Sequence, residues 1–103
     1  MHRNYMRAIP RDWRQMARVF VALGDEHRQR ILLTFEKGEE LNVGAIAAVS
    51  TLSRPAVSHH LKILHGAGVL KREKRGKEIY FRIDRAALVA ALETVLNHVR
   101  KSA

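Results

Sequence analysis

The 103-residue sequence contains no cysteine. Disulfides, thiolate metal sites, zinc fingers with Cys ligands and thiol-based nucleophiles or redox switches are therefore excluded. The sequence also lacks a long apolar run, since the longest early one, Val19 to Leu23, is too short for a signal-peptide core or a membrane span. We expect a soluble, cytoplasmic protein with no membrane partner.

Acidic residues are few beside basic ones. Asp and Glu number 10 against 19 Lys and Arg, which gives a formal net charge of +9. Such an excess favours a polyanionic partner such as nucleic acid or an anionic membrane surface. The apolar fraction of 47% argues against disorder, and the length suits one domain over residues 1–103.

The first third of the chain carries two helical patterns. Apolar residues at helical spacing predict a first helix over 11–23, after an N-terminal arm at 1–10. Asp25 is a suitable N-cap for a second helix. We expect the apolar stripe of that helix to reach Phe35, and Gly38 to close it.

The middle of the chain, residues 42–66, predicts a helix-turn-helix. Asn42 can cap a short helix and Ser53 a longer one, in whose first turn Pro55 is tolerated. At about 100° per residue, the longer helix has an apolar face that packs and a polar face opposite it. The polar face and the capped N-terminus can contact base edges and phosphates. The candidate DNA-binding residues on this helix are Ser53, Arg54, Pro55, Ser58, His59 and Lys62.

Residues 69–83 predict a basic β-hairpin. The predicted turn is Arg75-Gly76-Lys77, and apolar and polar residues alternate in the second strand, which follows it. From Lys71 to Glu78 there are five basic and two acidic residues, a net charge of +3. Arg75 and Lys77 at the tip are candidate contacts to the DNA backbone or minor groove, although a charge run can also be a merely solvated surface.

The last predicted helix covers 85–101, after a cap at Asp84. Its apolar band is wider than one packing face requires, which indicates a partner subunit, although a core within one chain is the alternative. We expect the first and last helices to form a homodimer. The candidate interface residues are Trp13, Met16, Phe20, Leu88, Leu92, Val95, Leu96 and Val99.

The predicted fold is mainly α with a β-hairpin wing, in the order four helices, hairpin and final helix. This is the layout of a winged helix-turn-helix, which engages duplex DNA through the second helix of the motif and the wing. It predicts a DNA-binding transcription regulator. The alternatives are a winged-helix module that binds RNA or a protein partner, and an enzyme, for which we find no nucleophile with a base and no phosphate loop.

The motifs resemble the ArsR/SmtB repressor family over about residues 17–83. The resemblance implies a homodimer joined by its first and last helices, binding to a palindromic operator, and repression that an inducer relieves. It is carried by Leu23-Gly24-Asp25, Arg30-Ile31-Leu32, Leu52-Ser53-Arg54-Pro55-Ala56-Val57-Ser58-His59-His60-Leu61, Ala67-Gly68-Val69-Leu70, Arg75-Gly76-Lys77 and Tyr80.

The chain departs from the family at its metal-sensing positions. Many members have a Leu-Cys-Val-Cys segment, where this chain has Leu41-Asn42-Val43-Gly44. Asn and Gly supply no soft anionic sulfur, so arsenic-type sensing there is excluded. At the family's second site, in the last helix, only Asp84 survives, with Ala86, Asn97 and Arg100 at the other ligand positions. We expect no metal site and no cofactor.

Two of the six histidines, His59 and His60, lie next to each other on the second motif helix. They point about 100° apart, so they cannot easily serve one metal. His60 lies at the margin of the packed face, and we expect it to be a hydrogen-bonded structural residue. His59 is the better DNA candidate.

Overall fold

The structure is a computed structural model that describes residues 5–102. Residues 1–4 of the predicted arm lie outside the described residues, and 5–10 form neither helix nor strand. The elements are α1 (Arg11–Leu23), α2 (Glu26–Thr34), β1 (Leu41–Asn42), α3 (Val43–Val49), α4 (Arg54–Gly66), β2 (Leu70–Arg75), β3 (Glu78–Ile83) and α5 (Arg85–Ser102). The predicted winged helix-turn-helix, mainly α with a hairpin wing, is confirmed.

Four helices begin at the predicted side-chain caps. In each case a side-chain oxygen of the cap accepts a hydrogen bond from the backbone N–H three residues later, which satisfies one of the free donors of the first turn. The cap-to-amide distances are 3.1 Å for Asp25, 2.8 Å for Asn42, 3.3 Å for Ser53 and 3.1 Å for Asp84.

The predicted end of α2 is wrong. The helix ends at Thr34, and Phe35 has extended backbone, with φ −74° and ψ 126°, that turns its ring into the core. A tight turn follows, in which the Glu39 amide donates to the Glu36 carbonyl at 3.0 Å. Gly38 lies in this turn with φ +73°, and it does not cap the helix.

The wing is part of a three-stranded antiparallel sheet in the order β1-β3-β2. The hairpin β2–β3 was predicted, but β1 was not, because it has only two residues. In the central strand, Phe81 lies opposite Leu41 of β1 and Arg72 of β2. Phe81 and Leu70 are buried, and they hold the base of the wing against the helices.

The core joins α4 to the other helices. Val57, Leu61 and Leu64 of α4 are completely buried, and they pack in one cluster with side chains of α1, α2, α3 and the wing. Helix α1 packs along α5, where the Trp13 ring meets the His98 ring edge-on with centroids 5.3 Å apart. No helix within residues 5–102 is long and apolar enough to cross a membrane.

Candidate nucleic-acid interface

The interface is built on α4, whose apolar face is anchored in the core. With Val57, Leu61 and Leu64 fixed there, the opposite side of the helix is left in solvent. The structure places all six candidates of this helix on the surface, namely Ser53, Arg54, Pro55, Ser58, His59 and Lys62. They form an exposed polar strip that starts at the capped N-terminus.

The turn between α3 and α4 is held by Ser50. Its amide donates to the Ala47 carbonyl at 3.2 Å, and its hydroxyl oxygen accepts from the Leu52 amide at 2.9 Å. No residue other than glycine has a positive φ between positions 5 and 102, so the turn needs no left-handed residue. These bonds close the turn between the two helices of the motif.

Arg54 lies across the two helices of the motif. A Cβ atom added at Gly44 would stand 3.5 Å from Nη1 of Arg54 and 3.6 Å from Oδ1 of Asn42. The guanidinium group therefore rests beside the first turn of α3. It lies next to the position of the family's second cysteine, at a distance that a Cβ atom there would also allow.

Arg28 of α2 connects α4 to α1 and α2, a role that the sequence did not indicate. Its Nε donates to the Ala22 carbonyl at 2.7 Å and its Nη2 to the Val21 carbonyl at 3.3 Å, which satisfies the end of α1. Its Nη1 lies 3.4 Å from Nδ1 of His60. One side chain thus connects α1, α2 and α4.

His60 is a structural histidine, as predicted. Burial lowers its pKa, and the positive Arg28 lowers it further, against the opposing effect of Asp25. Neutral Nδ1 can accept the bond from Arg28. His27, whose ring centroid lies 5.8 Å from that of His60, is half-buried. Among residues 5–102 there is no group of three His, Asp or Glu side chains that could hold a metal ion.

The two candidate residues at the wing tip, Arg75 and Lys77, differ in their ion pairs. Arg75 forms ion pairs with Glu40 and Glu73, the latter at 3.1 Å, and its guanidinium carbon lies 5.0 Å from the centroid of the Tyr80 ring. These hydrogen bonds lower the pKa of Glu73 and raise that of Arg75. Lys77 is exposed and forms no ion pair within the described part of the chain. Gly76, with φ +60°, makes the tight turn that places Lys77 at the tip.

The predicted dimer residues fall into three groups by exposure. Four are exposed by 42–50%, namely Phe20, Leu92, Leu96 and Val99, while Trp13, Leu88 and Val95 are half-buried. Met16 is only 7% exposed and packs inside the core, so little of its side chain is available to a partner. Val89 belongs to the predicted apolar band but not to the candidate interface residues, and it is 51% exposed on the same helix as Leu92.

Comparison with known proteins gives a consistent result. The model of the bacterial regulatory protein family arsR matches residues 25–72. The chain is 35% identical over 86 residues to the transcriptional repressor SdpR of Bacillus subtilis, covering 84% of this chain and 94% of SdpR. It is 33% identical over 88 residues to the cadmium resistance transcriptional regulatory protein CadC homolog of Staphylococcus aureus, covering 85% of this chain and 73% of that protein.

The solved structures agree. An ArsR-like transcriptional regulator from Rhodococcus sp. RHA1 superposes with a TM-score of 0.78 at 29% identity, covering 86% of this chain and 83% of that one. These relatives are transcription regulators and not enzymes, so the enzyme alternative is dropped. The chain belongs to the ArsR family of bacterial regulatory proteins and is a DNA-binding transcription regulator.

Proposed function

We propose that the chain is a homodimeric repressor that inserts α4 into the major groove of a palindromic operator. The observation that carries the proposal is the exposed polar strip of α4, whose opposite face is anchored in the core. In a helix-turn-helix the second helix reads base edges from such a face. Arg54 suits guanine or phosphate, and Ser58, His59 and Lys62 suit base edges or phosphates.

The wing supplies contacts to the DNA backbone in this proposal. Lys77 is the free cation at its tip, whereas Arg75 must first exchange Glu40 and Glu73 for a phosphate. Phosphate contacts position a protein on DNA without reading sequence. Loss of Lys77 therefore lowers affinity for all duplexes alike, and loss of Arg54 relaxes specificity.

Homodimerisation through α1 and α5 accounts for the exposed apolar side chains of these helices. Phe20, Leu92, Leu96 and Val99 would otherwise remain in water. The described subunit is elongated, at 58 × 23 × 20 Å, with a radius of gyration of 16.2 Å against about 13 Å for a compact chain of this length. A symmetric pair would bury the apolar helices and present two copies of α4.

The inducer that would release the DNA is not a thiolate-bound metal. The relative from Staphylococcus aureus is named for cadmium resistance, but this chain has no cysteine at Asn42 or Gly44 or anywhere else. A different chemical signal is needed if repression is relieved by a ligand.

A gel-shift assay tests the proposal. The probe is the region upstream of the protein's own gene, with random duplex and structured RNA as competitors at about 150 mM salt. We expect the upstream duplex to be retained against both competitors. Arg54→Gln should reduce the difference in affinity between the operator and random duplex. Arg100→Gln, which makes the same charge change at the end of α5, should leave that difference unchanged. Equal affinity for random duplex, or preference for RNA, would refute the proposal.

A further inference from the structure

A groove of about 620 Å³ lies between the loop after α2, the root of the wing and the start of α5. Small-molecule sites commonly have volumes of about 300–1,000 Å³. Apolar side chains line part of this groove, namely Phe35, Ile83, Leu88 and Val89. It is separate from the polar strip of α4, and it adjoins both the wing and the helix proposed to dimerise.

The charged residues that line the groove differ in whether they have a bonding partner. Of its three acids, Glu39 accepts from the Glu36 amide at 3.1 Å and Asp84 caps α5, so these two carboxylates hold the local backbone. The third, Glu36, has no ion pair among residues 5–102. The four basic residues of the groove form no ion pair with any carboxylate between residues 5 and 102. These are Lys37, Lys71, Arg82 and Arg85. Four bases against three acids give the lining a formal net charge of +1, and its cations lie beside an apolar surface.

Two of these cations are directly opposed. Lys71 of β2 and Arg82 of β3 are cross-strand partners, so their side chains leave the same face of the sheet at the same position. Like charges opposite each other destabilise a strand pair. Glu73 offsets part of this repulsion, since the charge of Arg82 helps to lower the pKa of Glu73, but its hydrogen bond goes to Arg75. An anion between Lys71 and Arg82 would relieve the remaining repulsion and gain two charge-assisted hydrogen bonds.

We propose that this groove binds a small organic anion, an apolar ring or chain that carries a carboxylate. The carboxylate lies between Lys71 and Arg82, and the apolar part contacts Phe35, Leu88 and Val89. Neither a metal ion nor a purely polar anion would use the apolar lining. A neutral hydrocarbon would leave the opposed cations unpaired.

Occupancy has a consequence that rests on the proposed DNA binding. The bound carboxylate neutralises positive charge at the root of the wing, which weakens its attraction to phosphates. The groove also touches α5, so the ligand bridges the wing and the proposed dimer helix. Linkage then requires DNA and the anion to weaken each other's binding by the same factor.

Calorimetric titration of the full chain with 2-naphthoate and with decanoate tests the site without DNA. We expect saturable binding of one ligand per chain, about tenfold or more tighter for 2-naphthoate than for neutral 2-naphthamide. The double variant Lys71→Gln, Arg82→Gln should lose about tenfold in affinity. Arg72→Gln, Lys74→Gln is the matched control, because it removes the same charges from the wing outside the groove and should bind as the parent does.

The site is overturned if neither anion saturates at millimolar concentration, if 2-naphthamide binds as well as 2-naphthoate, or if the two double variants behave alike. Binding that disappears at protein concentrations where sedimentation shows a dimer would also overturn it, because a second copy would then cover the groove. None of these results bears on DNA binding, which the gel shift measures separately.

The regulatory consequence has its own measurement. The anisotropy of labelled operator is titrated with protein, with and without saturating 2-naphthoate. We expect the ligand to lower DNA affinity for the parent and for the Arg72→Gln, Lys74→Gln control, and to have no effect on Lys71→Gln, Arg82→Gln. An unchanged affinity in the parent would refute the coupling.

Discussion

At the scale of single residues, Arg28 holds the reading helix in place. Its guanidinium spans the end of α1 and the side of α4, and it reaches two backbone carbonyls and His60. A side chain with several partners in half-buried surroundings leaves several polar groups unsatisfied when it is removed. The orientation of α4 thus depends on a residue that lies on neither motif helix.

Truncation of Arg28 should therefore destabilise the fold. We expect Arg28→Ala to lower the free energy of unfolding by about 1–3 kcal/mol, because the α1 carbonyls and His60 lose their donor. Urea denaturation measures this. Arg30→Ala is the control, since Arg30 is exposed and only pairs with Glu26 one turn away; its cost should be below about 0.5 kcal/mol. Equal losses in the two variants would contradict the account.

His60 should make stability depend on pH. Its pKa lies below the ordinary value of 6.5 in the folded chain, mainly through burial. Just below pH 6.5 the unfolded state therefore binds more protons, so stability present at higher pH is lost as the pH falls.

Urea midpoints from about pH 7.5 to 5.5 measure this dependence. His60→Gln should flatten it, since glutamine keeps a hydrogen-bond acceptor but does not titrate. His59→Gln, on the exposed neighbour, should keep the parent's slope. The interpretation fails if His60→Gln retains that slope.

At the scale of elements, the wing combines a free cation and a restrained one. Lys77 at the tip has no ion pair in the described structure, while Arg75 lies between Glu40, Glu73 and the Tyr80 ring. These partners come from β2, β3 and the segment before β1, so the sheet itself restrains Arg75. Contact with phosphate must compete with them.

Salt dependence distinguishes the two cations. Lys77→Gln should reduce the slope of log affinity for DNA against log salt by about one, because one phosphate contact is lost. Arg75→Gln should change the slope less, since its charge is already paired. Fluorescence anisotropy over a salt series gives both slopes. A larger effect of Arg75→Gln would show that its ion pairs open on DNA at little cost.

Local signals in the sequence predicted most of the elements. Asp25, Asn42, Ser53 and Asp84 cap helices within three residues of themselves, so their effect could be inferred from spacing alone. Strand β1 is formed only by pairing with β3, which lies far along the chain. The end of α2 depends on Phe35 entering the core, which overrides its helical spacing.

For the candidate site, too, local spacing predicted the positions of residues but not their long-range partners. Helical spacing was sufficient to put Ser58, His59 and Lys62 on the free face of α4. The ion pairs of Arg75 and the hydrogen bonds of Arg28 join residues that are distant in the chain or on different helices, and spacing does not indicate such partners. Helical spacing grouped Met16 with the interface candidates, but a helical stripe does not show which side of it the core covers, and Met16 is buried.

At the scale of the whole molecule, the proposed dimer depends on α5. Leu92 is 44% exposed in the middle of that helix, whereas Leu33 is 84% exposed on α2, away from the proposed interface. A charge in the middle of an apolar interface is buried without a partner when the dimer forms. The same change outside the interface stays in water.

Leu92→Asp should therefore weaken dimerisation about tenfold or more. Leu33→Asp should leave it unchanged. Analytical ultracentrifugation over a concentration series measures both, and circular dichroism confirms that each variant is folded. If Leu33→Asp disrupts the dimer and Leu92→Asp does not, the interface lies on α2 and not on α5.

Hydroxyl-radical footprinting on the upstream region shows where on the duplex the two copies of α4 lie. We expect two protected half-sites related by a palindrome, with centres one helical turn apart, about 34 Å or a multiple of it. Protection should be lost in parallel on both half-sites with Leu92→Asp. A single protected patch, or uniform protection without a palindrome, would contradict a dimer that reads DNA through α4.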